Sequence, residues 1–191
     1  MLTLPNNRIA SCARTIKIWK SNLPYSDTPI IDLAVLSNIV ITILYVKEKD
    51  ILISLNGDKS IDMWNMTTYK KIGSVNPVCA ILPNQIFLFD KDRLIIGRKN
   101  GFCVVDIDKC EIETKVKDEQ LGFVKCFMRL RDNKTIVCGC DNGIICLYNI
   151  NTGKYTLNDN TPIHNIAQFL RIDDNTFASC SFDNSIQIWN Y

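Results

Sequence analysis

The sequence contains nine cysteines, so a thiolate site is the first chemistry to consider. Cys138, Cys140 and Cys146 are close enough in the chain to share one β-hairpin. A zinc site would require a fourth ligand, and none is evident at a suitable spacing. A small, buried packing role explains these residues, and also Cys12 and Cys180, which occupy one position of a repeat described below. The sequence therefore predicts neither a metal site nor a cofactor.

Acid-base catalysis would require a convergent set of histidines or carboxylates. The chain has a single histidine, His164, and its aspartates recur in segments with the composition of turns. Asn100-Gly101 and Asn142-Gly143 are hairpin-turn signals. Neither glycine-rich phosphate-loop pattern, GxGxxG or GxxxxGK[ST], occurs in the sequence. We therefore predict that the protein is not an enzyme.

The overall composition is that of a globular protein and does not select a partner. Lys and Arg total 22 against 20 Asp and Glu, a balance too even to predict binding to nucleic acid or to a membrane. The longest apolar run, Ile39 to Val46, is much shorter than the roughly 20 residues of a membrane helix. An odd number of cysteines, without a close CxxC pair, favours a reducing compartment. Because the beginning of the chain also lacks a signal peptide, we expect a cytoplasmic protein that could also be nuclear.

An internal repeat organises the chain. Each copy has an apolar stretch, a small polar turn and a second stretch that ends near an aromatic residue or its substitute. Five segments have this form: Arg8 to Lys20, Ile51 to Asn65, Leu94 to Ile107, Thr135 to Asn149 and Thr176 to Asn190. They recur at a period of about 40 to 45 residues, and their apolar residues alternate with period two. The pattern predicts β-strands.

The last copy reads A-S-C-S-x-D-x-S-I-x-I-W-N from Ala178 to Asn190, and in this it resembles the WD-repeat family. The resemblance covers essentially the whole chain. It implies an all-β, WD-type β-propeller segment of about four to five four-stranded blades, and it leaves open whether the ring is complete. We expect one propeller domain, 1–191, whose repeat units are approximately 1–34, 39–75, 78–116, 123–157 and 163–191.

Each unit is expected to contain four strands, a to d. Strand a is predicted at Ile39 to Val46, Ile86 to Phe89, Phe123 to Leu130 and Ile163 to Ile172, with a short remnant at Leu2 to Leu4. Strands b and c form the repeated segments given above. Strand d is predicted at Ile30 to Ala34, Tyr69 to Val75, Glu111 to Val116 and Lys154 to Leu157.

The resemblance also implies a structural motif. Its shared aromatic position is occupied by Trp19, Trp64, Tyr148 and Trp189, with Val105 in the third unit. In the family, this tryptophan joins a serine or threonine, a turn aspartate and a Gly-His histidine in a hydrogen-bonded tetrad. His164 does not occupy the Gly-His position, so no unit completes the tetrad. Asp58 with Trp64, and Asp183 with Trp189, are the best partial versions. Stability is therefore expected to come mainly from apolar packing between blades.

Both ends of the sequence fall within a repeat unit. Three interpretations remain open: a fragment or shortened gene product, part of a ring completed by another copy or chain, or a small complete ring. Unpaired strand edges and apolar end faces predict self-association or completion by another chain.

The family resemblance implies a non-enzymatic scaffold that mediates protein-protein interactions and complex assembly. The b-c turns are expected on a partner-binding face, for which the candidate residues are Arg14, Asn56, Asp58, Lys59, Arg98, Lys99, Asn100, Asp141, Asn142, Phe182 and Asp183. Phe182 is the most anchor-like of them, although packing on a neighbouring loop would explain it equally well. The alternative function is a phospholipid- or nucleic-acid-binding propeller. It would require clustered basic residues, and Arg98-Lys99 is the one basic pair in a b-c turn.

Overall fold

The computed structural model describes residues 1–21, 28–35, 39–76, 86–158 and 165–191. These residues form β-strands and one short 3-10 helix at Lys47–Lys49. No helix among them is long and apolar enough to cross a membrane. Valine, isoleucine and aromatic residues are frequent in the strands, where their branched or flat side chains pack well on a pleated surface.

Five antiparallel sheets follow one another along the chain, here called sheets 1 to 5. Sheet 1 contains β1 (Leu2–Leu4), β2 (Arg8–Cys12), β3 (Ile16–Lys20) and β4 (Ile31–Leu33), and sheet 2 contains β5 (Val40–Val46), β6 (Ile51–Asn56), β7 (Ile61–Asn65) and β8 (Lys70–Val75). Sheet 3 contains β9 (Ile86–Leu88), β10 (Arg93–Arg98), β11 (Gly101–Asp106) and β12 (Glu111–Lys117). Sheet 4 contains β13 (Val124–Arg129), β14 (Thr135–Cys140), β15 (Ile145–Asn149) and β16 (Tyr155–Asn158), and sheet 5 contains β17 (Ile166–Arg171), β18 (Thr176–Ser181) and β19 (Ile186–Asn190).

The predicted all-β architecture of repeated four-stranded sheets is confirmed. Strands a to d lie at the predicted places with small shifts at their ends, and within each sheet they pair in chain order. Sheet 5 consists of strands a to c. The first residues of the predicted strand Ile163 to Ile172, including His164, lie outside the described residues.

The sheets also repeat in detail. The first strands of sheets 2, 4 and 5 each have a register irregularity close to their start, between Val40 and Thr42, Val124 and Cys126, and Ile166 and Gln168. A bulge inserts one extra residue and increases the local twist of a strand. Because the irregularity recurs at one place, the registers of strands a to c in these sheets match residue for residue.

The chain forms two compact units. Unit 1 contains Met1–Val78 and Asp106–Ile112, and unit 2 contains Cys79–Val105 and Glu113–Tyr191. The core of unit 1 joins sheets 1 and 2. Ile16 and Ile18 of sheet 1 share one apolar cluster with Leu52 and Trp64 of sheet 2.

Unit 2 has two apolar clusters, which use opposite faces of sheet 4. We call the face that carries the shared aromatic position the front face of a sheet, and the opposite face its back face. The front face of sheet 4 packs with sheet 3 through Ile136 and Tyr148. Its back face packs with sheet 5 through Met128, Val137 and Leu147. Sheet 4 is therefore covered on both sides by its neighbours in sequence.

Asparagine or aspartate ends strand c in sheets 2, 3 and 4 and shapes the following turn. The Oδ1 atoms of Asn65, Asp106 and Asn149 each accept hydrogen bonds from the backbone amides two and three residues later, at 2.8 to 3.1 Å. Asp132 does the same in the a-b turn of sheet 4, at 2.9 and 2.8 Å. These side chains act as turn formers, as predicted from their positions.

A tryptophan-serine hydrogen bond links strands b and c in three sheets. The indole Nε1–H of Trp64 donates to the Ser54 hydroxyl at 3.1 Å, and both residues are buried. Trp19 donates to Ser11, and Trp189 to Ser179, in both cases at 2.8 Å. The described residues thus retain the tryptophan-serine part of the family tetrad.

Tyr148 takes the tryptophan position in sheet 4. Its buried ring packs edge-on against Phe102, with 5.0 Å between the ring centroids. The position of the family's serine is occupied by the buried thiol of Cys138. In sheet 3 the equivalent residue, Val105, is also fully buried. A buried side chain is therefore found at the shared aromatic position in sheets 3 and 4, although the tryptophan-serine hydrogen bond is not formed there.

We predict that Trp64→Ala lowers the free energy of unfolding by roughly 3 to 5 kcal/mol, because it removes a buried indole from the core of unit 1. Ser54→Ala should cost about 1 to 3 kcal/mol, since the indole N–H would then lack its acceptor. Urea unfolding followed by circular dichroism measures both. Tyr148→Phe keeps the ring packing and is expected to cost only about 1 kcal/mol. An equal loss for Tyr148→Phe and Trp64→Ala would contradict this account of sheet 4.

Candidate functional site

The b-c turns of sheets 2, 4 and 5 have the same five-residue construction. The first residue donates its N–H to the carbonyl of the fifth, at 2.9 to 3.1 Å. The fourth residue has a positive φ in all three turns, namely 72° at Lys59, 89° at Gly143 and 67° at Asn184. Glycine and asparagine adopt this conformation readily, whereas lysine does so at a cost. Lys59 therefore adopts a backbone conformation that is unfavourable for lysine.

Asp58 and Asp183 are the third residues of two of these turns. Each Oδ1 accepts hydrogen bonds from the amide and the hydroxyl of the serine two residues later, Ser60 or Ser185, at 2.5 to 3.0 Å. Both aspartates therefore bond within their own turns, while the tryptophans of their sheets donate to serines of strand b. The hydrogen bonds from Ser60 lower the pKa of Asp58, so its side chain is negatively charged at neutral pH.

Asn56 was expected on the exposed face, but its side chain is fully buried. Its Nδ2 donates to the Ser60 hydroxyl at 2.9 Å and to the Asp62 carboxylate at 3.0 Å. Asn56 therefore ties the b-c turn to the interior of unit 1. It is not accessible to a partner.

Asp62, which the sequence prediction did not single out, is the buried carboxylate of unit 1. It accepts a hydrogen bond from Ser74 at 2.7 Å and forms a 2.5 Å ion pair with Lys71. A buried charge of this kind requires such partners. Period-two alternation places Asp62 on the same face of β7 as Trp64, which was the available signal. Its contacts identify it as a structural residue.

In unit 2, the b-c turn of sheet 3 is bonded to the segment that joins sheets 3 and 4. Lys99 pairs with Phe123 as an isolated β-bridge, and the Asn100 amide donates to the Gly122 carbonyl at 2.9 Å. The Asn100 carbonyl accepts from the Asp118 amide at 3.0 Å. Residues 118–123 therefore hold this turn in place.

The b-c turn of sheet 4 contacts the same segment from the other side. Asp141 Oδ1 accepts the Phe123 amide at 2.7 Å, and Asn142 Nδ2 donates to the Gln120 carbonyl at 2.8 Å. A Cβ atom at Gly122 would lie only 2.0 Å from Asp141 Oδ1, so a side chain at this position would displace the Asp141 carboxylate. The turns of sheets 3 and 4 therefore form one hydrogen-bonded surface.

The b-c turn of sheet 5 is connected to this surface by a longer route. The Phe182 amide donates to the Asn165 carbonyl at 3.3 Å, and the Asn165 side chain accepts from Lys125 of β13 at 3.0 Å. Phe182 itself is 70% exposed, and Asp183 beside it is also exposed. We call the six candidate residues of these turns the turn surface: Lys99, Asn100, Asp141, Asn142, Phe182 and Asp183.

The remaining candidates differ in accessibility. Arg98 is only half-buried, but its guanidinium donates at 3.4 Å to the carbonyl of Val116, which lies in strand d of the same sheet. The basic pair therefore contributes one exposed cation, Lys99, to the turn surface. In unit 1, Arg14, Asp58 and Lys59 are exposed.

The described thiols lie mostly in the core of unit 2. Five of them are buried and reduced: Cys103, Cys126, Cys138, Cys140 and Cys146. Burial raises the pKa of Cys126 to about 12 and also raises the pKa values of Cys138 and Cys140. Across the described ranges, no group of three or more His, Cys, Asp and Glu side chains could hold a metal ion.

A cavity of 290 Å³ lies within unit 2, where the first strands of sheets 3, 4 and 5 meet. Its lining comprises Ile86, Phe87, Cys126, Phe127, Ala167 and Gln168. The Phe87 and Phe127 rings stack at 6.1 Å. Cys126 is its titratable side chain, and at neutral pH this thiol is protonated. The lining therefore provides apolar contacts and one amide, but no acid-base pair.

Comparison with known proteins shows a similarity to one repeat family and to solved β-propeller structures. The model for "WD domain, G-beta repeat" matches residues 154–190, which contain β16 of sheet 4 and β17 to β19 of sheet 5. No curated protein matches the chain. Among solved structures, the computationally designed Ika8 protein is similar with a TM-score of 0.75 and 18% identity, and the match covers 100% of this chain and 57% of that one. The WD40 β-propeller domain of Doa1 is similar with a TM-score of 0.69 and 18% identity, over 98% of this chain and 62% of that one.

Repeated antiparallel sheets with this strand order, together with the structural match to Doa1, define the β-propeller class of folds. Within that class the chain carries a WD repeat, since the family model matches residues 154–190. It spans a little under two thirds of the two solved chains described above.

The backbone at Lys59 yields a stability prediction. Lys59→Gly should raise the free energy of unfolding by about 1 kcal/mol, because glycine adopts the positive φ without steric cost. Lys59→Ala is the matched control, since it removes the same side chain but keeps the disfavoured backbone. Thermal and urea melts of both variants separate the two contributions. If Lys59→Gly is less stable than the parent chain, the lysine side chain itself stabilises the turn.

Proposed function

We propose that this WD-repeat protein is a non-enzymatic scaffold that binds other proteins and assembles them into complexes through the turn surface of unit 2. Propellers of this family are generally non-enzymatic scaffolds for protein interactions, which supports the coarser part of the proposal. The choice of the turn surface rests on its exposed side chains and on the hydrogen bonds that hold its backbone.

The exposed ring of Phe182 is the observation that carries the proposal. A large apolar side chain at the tip of a b-c turn has no role in the core, and at 70% exposure it is available to a partner. Aromatic anchors of this kind contribute a large share of binding energy at protein interfaces. The hydrogen bond from its amide to Asn165 holds the turn that presents the ring. A pre-ordered turn loses less conformational entropy when it binds.

The surroundings of Phe182 favour a protein or peptide over a polyanion. Asp183 is exposed beside the ring, while Lys99 and Asn142 are exposed on the neighbouring turns. Nucleic acids and anionic lipids select clusters of positive charge. The exposed side chains of the turn surface are therefore one cation, one carboxylate, one amide and one aromatic ring. They suit a peptide segment with an apolar anchor and polar groups of both signs.

The proposed setting follows from the thiols. All eight described cysteines are free, which accords with a reducing compartment, and we place the function in the cytoplasm or the nucleus. No cofactor forms part of the proposed function.

The experiment is quantitative affinity capture from the native cell, followed by mass spectrometry. We expect the double variant Phe182→Ala/Asp183→Ala to recover at least roughly tenfold less of the specific partner than the parent chain, since a hot-spot residue contributes about 2 kcal/mol or more. Ile72→Ala is the matched control, because Ile72 is an exposed apolar residue of β8 in unit 1. Its capture should equal that of the parent.

Two results would contradict the proposal. One is equal recovery by the double variant and the parent chain, with both shown to be folded by their melting curves. The other is tight binding to RNA or anionic vesicles that weakens steeply with salt, which would favour the polyanion-binding alternative.

A further inference from the structure

The back face of sheet 5 is apolar and open. Leu170 is 67% exposed, Ile186 73% and Ile188 67%, while Ala178 and Cys180 between them are half-buried. The strand register places all five side chains on this one face. A contiguous apolar patch of this kind on a folded protein marks an interaction surface.

The equivalent face is covered in the other sheets. Matching registers make Met128, Val137, Ile145 and Leu147 of sheet 4 the counterparts of Leu170, Ala178, Ile186 and Ile188. In sheets 1 to 3 the counterparts on strands b and c are buried: Ala10, Ile16, Ile18, Ile53, Ile61, Met63, Ile95, Phe102 and Val104. The counterparts of Leu170 on strand a, which are Leu2, Leu44 and Phe87, are half-buried. Among the described residues, sheet 5 is therefore the exception.

The kind of surface that covers such a face is visible within unit 2. The back face of sheet 4 packs against Phe169, Phe177 and Trp189, which belong to the front face of sheet 5. Trp189 is held there by its hydrogen bond to Ser179. The complement of an apolar back face is thus a front face with a tryptophan-serine pair and an apolar residue opposite the tryptophan.

Sheet 1 carries a front face of this description. Ile9 lies opposite Trp19 in the strand register, as Phe177 lies opposite Trp189, and Trp19 donates to Ser11. Ile9 and Trp19 are only half-buried, whereas their counterparts Leu52 and Trp64 in sheet 2 are buried. The front face of sheet 1 therefore retains surface that a neighbouring sheet could cover.

We propose that the back face of sheet 5 in one copy of the chain packs on the front face of sheet 1 in a second copy. The contact is head-to-tail, and it repeats the packing of sheet 4 on sheet 5. Its two sides are different surfaces, so each copy has one donor face and one acceptor face. The interaction uses sheet faces and not the turn surface, so it is independent of the proposed function.

Blocking one face at a time tests the proposal. Ile186→Lys/Ile188→Lys places two charges on the back face of sheet 5, at exposed positions where the fold should tolerate them. Thr3→Lys/Ile9→Lys does the same on the front face of sheet 1, where Thr3 pairs with Ile9. Thr3→Lys alone is the gentler variant, because the Thr3 side chain is exposed. Ile72→Lys, on the exposed part of β8, is the matched control.

Sedimentation velocity at micromolar concentration is the measurement, after circular dichroism has shown that each variant is folded. The parent chain and Ile72→Lys should associate, and each face-blocked variant alone should be a monomer. An equimolar mixture of the two blocked variants should form a heterodimer and stop there, because one donor face and one acceptor face remain. A parent chain that stays monomeric, a sheet 5 variant that still self-associates, or a mixture that remains monomeric would each overturn the proposal.

Discussion

The sheets of this protein carry apolar residues on both faces, so they depend on neighbouring sheets to cover them. Sheet 4 illustrates the constraint, since Ile136 and Tyr148 are buried on its front face while Val137 and Ile145 are buried on its back face. At roughly 25 cal/mol for each Å² of apolar surface removed from water, covering such faces is the main source of stability. The sequence repeat follows from this constraint, because successive repeats must present equivalent surfaces for packing.

This constraint explains why the strands were predictable. Period-two alternation is imposed by the two faces, so the positions of strands such as Thr135–Cys140 could be read directly from the sequence. The aromatic position was predictable for the same reason, since it recurs on the front face. The burial of Trp64 and Tyr148 at this position agrees with it.

The turns were less predictable, because their side chains follow local hydrogen bonds and not the alternation. Asn56 has the composition of an exposed turn residue, yet it turns inward to Ser60 and Asp62. Asp58 satisfies the amide of its own turn and does not reach the tryptophan-serine pair. Arg98 was counted with the exposed basic residues, although its guanidinium donates to a backbone carbonyl. In each case the orientation of the side chain is set by a hydrogen-bond partner that sequence spacing alone does not identify.

The buried thiols of unit 2 also make the chain a natural reporter of its own motions. A thiol reagent reacts with thiolates that it can reach, so burial and a raised thiol pKa both protect Cys138 and Cys140. Cys146 is protected by its burial. Modification at these sites must wait for sheet 4 to separate from a neighbour, whereas the half-buried Cys12 and Cys180 are accessible sooner. The rates at which a thiol reagent labels the native cysteines would therefore measure how often the interior opens at each of them, without any engineered cysteine.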